Sequence, residues 1–144
     1  GEMPVSMPVQ RGTEDVLVVE DEPVVRALIV RTVEGFGYRC LEAHDATEAL
    51  RLLEKEQGNF DLVITDVVMP GMSGKQLGEL LAHKYPALPV LYTSGFANND
   101  IIRRGLLDAS RPFLQKPFTP DDLARKIRDV LEASTAGDYE AQTA

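Results

Sequence analysis

Apolar and polar positions fall in blocks along this chain, short β-branched runs alternating with longer stretches of helical spacing. Val16–Val19 is the first run, and it ends in Glu20 and Asp21. Glu22-Pro23 then opens a helix, where proline's missing N–H costs little. Val25, Leu28, Ile29 and Val33 recur on one side of it, and Gly35 and Gly37 close it. Tyr38–Ala43 is a strand with polar residues interspersed, as at a sheet edge. Asp45 with Glu48 three residues on resembles a capping box and starts a helix carrying Ala49, Leu50, Leu52 and Leu53, ended by Gly58. Leu62-Val63-Ile64 leads into Thr65 and Asp66, then a loop shaped by Pro70, Gly71 and Gly74. Such a run, closed by turn residues, predicts a buried strand.

Leu77, Leu80 and Leu81 mark a third helix ending near Tyr85-Pro86. Pro89–Thr93 is a fourth strand running into Ser94 and Gly95. Asn98–Leu107 reads as a helix with Ile101, Ile102 and Leu106 inward. Pro112–Gln115 is a short fifth strand ending at Lys116-Pro117. Thr119-Pro120-Asp121-Asp122 opens the last helix with a cap, an N1 proline and two acids that suit the helix dipole. Leu123, Ile127, Val130 and Leu131 form its apolar side. Strand and helix thus alternate five times, which predicts a parallel sheet covered by helices on both faces, a three-layer α/β domain.

With 144 residues, one domain is expected, placed at 14–133. Residues 1–13 read as a flexible linker or an expression remnant, and 134–144 as a flexible C-terminal tail. Acidic residues outnumber basic ones 23 to 15, which argues against direct nucleic-acid binding and against association with an anionic membrane. No apolar segment approaches the roughly 20 residues needed to span a bilayer, and no secretory signal is evident, so no membrane insertion is expected. The single cysteine, Cys40, excludes an internal disulfide and fits a reducing, cytoplasmic setting. Its expected role is a small apolar residue rather than a reactive thiol.

Four of the five strands end in polar residues: Glu20 and Asp21, Asp66, Ser94, and Lys116. Parallel strands put these ends on one edge of the sheet, where open α/β folds bind ligands. By itself Asp66 could simply cap the next turn. Three crowded carboxylates, however, repel one another unless a cation lies among them. An all-oxygen set without His or Cys suits a hard ion such as Mg²⁺. Lys116 can pair with a carboxylate or a phosphoryl oxygen, and Ser94 can donate to the same oxygen. This set of groups suits a phosphoryl group carried on an aspartate. His44 and His83 each stand alone near an element boundary, without partner ligands.

The segments VLVVEDEP, LVITDVVMPGMSG, PVLYTSGF and FLQKPF, in this order, resemble the receiver domains of bacterial two-component response regulators, over about Asp15–Leu131. The resemblance implies a (βα)5 flavodoxin-like, CheY-like fold with strand order 2-1-3-4-5, and a regulatory domain rather than an enzyme in its own right. It implies Asp66 as phosphoacceptor, taking a phosphoryl group from phosphohistidine on a histidine kinase or histidine phosphotransfer protein. It further implies Mg²⁺ held by Asp21, Asp66 and the Val68 backbone carbonyl, with Glu20, where the family often has Asp, contacting the metal through water. Ser94 and Lys116 match the family's hydroxyl and lysine, and Pro117 a residue that commonly follows a cis peptide bond. Phe113 occupies the aromatic switch position beside Ser94, in a face built from helix four, strand five and helix five. That face, with Arg103, Arg104 and Arg125 as candidate exposed charges, is also where a homodimer could form. Val68 and Phe96 flank the path of an attacking water in this family, and neither can orient it, which implies slow self-dephosphorylation.

The EDEP opening, TDVVMPGMSG, TSGF and FLQKPF look most like receivers attached to hybrid sensor histidine kinases. The chain then reads as a single-domain regulator or as a receiver cut from a larger sensor kinase. The competing reading is a degenerate receiver acting as a phosphorylation-independent protein-interaction module, which predicts loss of a pocket residue. A dehalogenase-type phosphatase would need a second aspartate where Val68 stands. A flavin binder would need a Ser/Thr/Gly-rich phosphate loop in place of the acidic EDEP.

Overall fold

The computed structural model describes residues 9–143, with side chains through Thr135. Five strands, β1 (Asp15–Val19), β2 (Arg39–Ala43), β3 (Leu62–Asp66), β4 (Val90–Ser94) and β5 (Phe113–Gln115), alternate with five helices. The helices are α1 (Pro23–Gly35), α2 (Ala46–Lys55), α3 (Gly74–Lys84), α4 (Asn98–Arg103) and α5 (Pro120–Thr143). All pairings are parallel, in the order β2-β1-β3-β4-β5. The chain reverses direction across the sheet between β1 and β3, so a crevice opens beyond their carboxyl ends.

The central strands are apolar on both sides because both sides are covered. Val16 and Val18 join Ile29 and Val33 of α1 and Leu123 and Ile127 of α5 in one core. Leu17 and Val19 point the other way, to Ala49 and Leu53 of α2 and Leu77 and Leu81 of α3. A third cluster, Val67, Tyr92, Ile101 and Leu107, sits under α4. Among the described residues no helix is long and apolar enough to cross a membrane.

Four local readings of the sequence need revision. Leu28, expected inside, is 63% exposed, and Val24 is more so; α1 buries only Ile29 and Val33 fully. The Asp45 carboxylate accepts from the Glu48 N–H (2.8 Å). The return bond runs from the His44 N–H to Glu48 Oε1 (3.0 Å) and not from Asp45, because the His44 ring draws that carboxylate to itself at 2.8 Å. Helix α4 ends at Arg103, short of Leu107. There Gly105 adopts φ +68, its N–H bonds Ile102 O, and the Leu106 N–H bonds Ile101 O, the Schellman arrangement that stops a helix. Finally, α5 stays helical to Thr143, so its backbone continues through the stretch expected as a flexible tail. At the other end, residues 1–8 of the expected linker lie outside the described residues. Gly12, inside that expected linker, bonds Phe36 O through its N–H (3.0 Å).

Helix α3 begins against the end of β3. The Ser73 hydroxyl and the Gln76 side chain make a reciprocal capping box, and Gly74 fits only as glycine: a Cβ there would sit 2.1 Å from Asp66 O. The atoms that Cβ would meet are backbone, so relief requires moving the β3 terminus. Gly74→Ala is expected to lower stability by about 1–3 kcal/mol, against a helix-propensity gain of at most about 1 kcal/mol. Urea unfolding checks this, and an unchanged midpoint would mean the loop yields freely.

Candidate functional site

The polar ends of β1, β3, β4 and the residue after β5 meet in the crevice. Glu20 and Ser94 are almost fully buried, and Asp66 nearly so. Lys116 Nζ bridges the two acids, 2.9 Å from Glu20 Oε1 and 3.1 Å from Asp66 Oδ2. One carboxylate oxygen each from Glu20, Asp21 and Asp66 lies within 4.8 Å of the others. An open pocket of about 650 Å³ exposes this cluster, with Val68, Ser94, Phe96 and Lys116 also in its lining. The arrangement follows from strand length: β1 stops at Val19 and β3 at Asp66, one register step apart on neighbouring strands.

The electrostatics are strained toward a cation. Burial pushes the Glu20 carboxyl up, to about 7; Lys116 partly offsets this and Asp66 adds to it. Burial alone would lower the Lys116 ammonium, but Glu20 and Asp66 together raise it, so it stays charged. Glu20 Oε2 is buried with no hydrogen-bond partner. A buried carboxylate oxygen left without a donor is costly, and a hard cation would satisfy it. With three carboxylates and no nitrogen or sulfur ligand nearby, the donor set fits a magnesium-like ion.

The other sequence candidates surround this cluster. The Val68 N–H donates to Asp66 Oδ1 (3.2 Å). Val68 and Phe96 stand at the rim, each 44% exposed. Ser94 Oγ accepts from the Phe96 N–H (3.0 Å), which leaves its own proton free to donate. Phe113 is half-buried against the cluster of Val67, Tyr92, Ile101 and Leu107. The Lys116-Pro117 bond is cis. Arg103, Arg104 and Arg125 are exposed, and the Arg104 guanidinium lies over the Phe96 ring, 5.4 Å from its centroid. His44 pairs with Asp45 and Glu48 away from the pocket. Burial pushes the Cys40 thiol up to about 12, which leaves it unreactive at neutral pH.

Sequence reasoning passed over Arg26, whose Nη1 donates to the Glu20 carbonyl at 2.8 Å. Its only signal was an arginine at a position flanked by the apolar residues of α1. A cleft of about 1020 Å³, larger than the acidic pocket, opens at the opposite edge of the sheet. It is lined by Phe60, Tyr85 and Arg128 among others and contains none of the three clustered carboxylates.

Comparison with known proteins agrees with this geometry. The family described as "Response regulator receiver domain" matches residues 16–128. The chain is 39% identical over 121 residues to the sensor kinase CckA of Brucella abortus, covering 84% of this chain and 13% of that kinase. It is 30% identical to the phosphate regulon transcriptional regulatory protein PhoB of Pseudomonas aeruginosa, over 88% of this chain and 55% of that regulator. It therefore spans only part of the curated relatives it matches. Among solved structures, the receiver domain of hybrid histidine kinase CckA superposes with a TM-score of 0.68 at 34% identity, covering 81% of this chain and 98% of that one. A receiver domain protein of Clostridium thermocellum gives a TM-score of 0.75 at 27% identity, with 85% and 98% covered.

The raised Glu20 carboxyl has a consequence for stability without metal. From its ordinary 4.5 to about 7, the folded protein holds a proton that the unfolded chain has released. Stability from this group therefore falls as pH rises through that window, and the loss is complete above about 7. Urea unfolding in EDTA at pH 5 and pH 8 should show this fall in the parent and a shallower one in Glu20→Gln. Equal slopes for the two proteins would refute the assignment.

Proposed function

This chain belongs to the response regulator receiver family and is a regulatory phosphoacceptor module of two-component signalling, and on that premise we propose that Asp66 is the residue that carries the phosphoryl group. The observation that carries the proposal is the convergence on Asp66: a lysine at 3.1 Å, two further carboxylates within 4.8 Å and a buried serine in one open pocket.

In the proposed reaction an Asp66 carboxylate oxygen attacks phosphorus in line. The P–N bond to a partner's histidine breaks, its electron pair returns to the imidazole, and an acyl phosphate forms. Lys116 follows the charge as it moves from the carboxylate to the phosphoryl oxygens. Ser94 supplies one hydroxyl donor to the same group. Glu20, Asp21 and Asp66, with the Val68 carbonyl, are the residues we assign to a bound Mg²⁺, which would neutralise phosphoryl charge. The partner is a histidine kinase or a histidine phosphotransfer protein. We take 14–133 as the unit that does this, in line with the family match over 16–128.

For the response we assign Ser94 and Phe113. Phe113 packs in the same cluster as Val67, the residue after Asp66, and as Ile101 of α4, so a shift at the pocket has a packed route to the α4–β5–α5 face. We place a homodimer contact on that face, where Arg103, Arg104 and Arg125 are exposed. Sedimentation velocity before and after phosphorylation checks it, a rise in dimer fraction being expected; unchanged sedimentation would remove it.

Incubation with acetyl phosphate and Mg²⁺ should add one phosphoryl group to the intact mass of the parent and none to Asp66→Asn. The adduct should persist for many minutes or longer, since neither Val68 nor Phe96 can orient water, and Phe96→Ala should shorten its life several-fold. Loss within seconds in the parent would refute the roles given to these two residues. No adduct from acetyl phosphate, nor from a phosphohistidine donor, would favour a phosphorylation-independent interaction module.

A further inference from the structure

The turn from β1 into α1 presents Glu20 and Asp21 to the pocket, yet its own sequence holds it weakly. The parallel ladder between β1 and β2 ends at the Val19–Ala43 pair. The Glu20 N–H still reaches Ala43 O (3.1 Å), but beyond that point the backbone leaves the sheet. The N-cap of α1 is Glu22, which makes no side-chain cap hydrogen bond. Meanwhile the carboxylates of Glu20, Asp21 and Asp66 repel one another, a force that acts to open the turn.

Arg26 closes it from inside. Its Nη1 donates to the Glu20 carbonyl at 2.8 Å, and its Nε donates to Glu42 Oε1 on β2 at 3.0 Å. Its own N–H bonds Glu22 O at 2.8 Å. One residue therefore ties the first turn of α1, the end of β1 and the edge strand into a single unit. Its side chain is only 17% exposed, whereas that of Glu42 is 52% exposed. The ion pair by itself therefore contributes little; what it does is fix the guanidinium plane, so that the second nitrogen meets the carbonyl. Planar two-point attachment of this kind is what arginine provides and lysine does not.

We propose that Arg26 is a positioning residue for the acidic pocket, holding the Glu20–Glu22 turn so that Glu20 and Asp21 face Asp66 and can share a divalent cation. The proposal rests on the assignment of these carboxylates to a metal. Its sign separates it from a simple effect of charge. Acting by charge alone, a guanidinium at the Glu20 backbone opposes a cation in the neighbouring pocket, so its removal would tighten metal binding. Acting by position, its removal weakens binding.

The test is calorimetric titration of Mg²⁺ into the full chain, comparing the parent, Arg26→Met and Arg26→Lys. Methionine keeps the apolar stem, and lysine keeps the charge with a single head group. At least fivefold weaker affinity is expected for Arg26→Met, with Arg26→Lys intermediate. In metal-free protein, amide exchange at Asp21 and Glu22 should be faster in Arg26→Met, while exchange at Leu91 in the sheet centre should be unchanged. Unchanged or tighter affinity in Arg26→Met overturns the proposal, as does a Lys variant that binds like the parent. If Arg26→Met does not fold, Arg26→Lys alone decides by the same criterion. Failure of the parent itself to take up Mg²⁺ would overturn the metal assignment and the proposal with it, and so differs from failure of the proposal alone.

Discussion

Three carboxylates held within 4.8 Å at the edge of a parallel sheet are the constraint that organises this molecule. Like charges at that spacing destabilise the fold unless something positive is built in beside them. Lys116 is that group, and it reaches two of the three acids from a short loop after β5. It does not fully compensate. One acid, Glu20, is left with an unpartnered oxygen and an elevated proton affinity. The remaining imbalance is what suits the pocket to a cation.

The two layers of helices supply the rigidity that this costs. Residues of β1 face α1 and α5 on one side and α2 and α3 on the other, so the strand that ends in Glu20 is clamped from both faces. Helix α3 is packed so closely under Asp66 that only glycine fits at position 74. The remaining side of the pocket is looser. Helix α4 is six residues long with no side-chain cap, and Phe96 is held at the rim by Arg104 from that same segment. The acids thus lie on the closely packed side of the pocket, and the short, uncapped helix α4 on the other.

The sequence was most informative where local physics is decisive. The strand cores are continuous apolar runs, β2 carries the interspersed charges of an edge, and Thr119 caps α5 reciprocally with Asp122, all of which depend on near neighbours. Misreadings arose where a distant partner or a backbone detail intervened. Leu28 has the correct spacing for burial, but no layer covers it. Helix α4 was read too long because the apolar spacing continues through Leu106 while Gly105 turns the backbone. The Glu48 carboxylate was drawn to His44 by a ring that spacing rules do not consider.

The same division holds for the pocket. Which residues meet in the pocket was legible in the sequence, since polar groups closing apolar strands must emerge at one sheet edge once the strands are parallel. Strand order required the resemblance to a family, because alternation of strand and helix is compatible with several orders. Tertiary structure alone decided the rest: that Lys116 divides itself between Glu20 and Asp66, that Glu20 retains a bare oxygen, and that Arg26 grips the turn from inside. These depend on distances between residues up to 96 positions apart. Chain-local patterns encode burial and periodicity, and the pairing of such distant charges is established only when the packed layers bring them together.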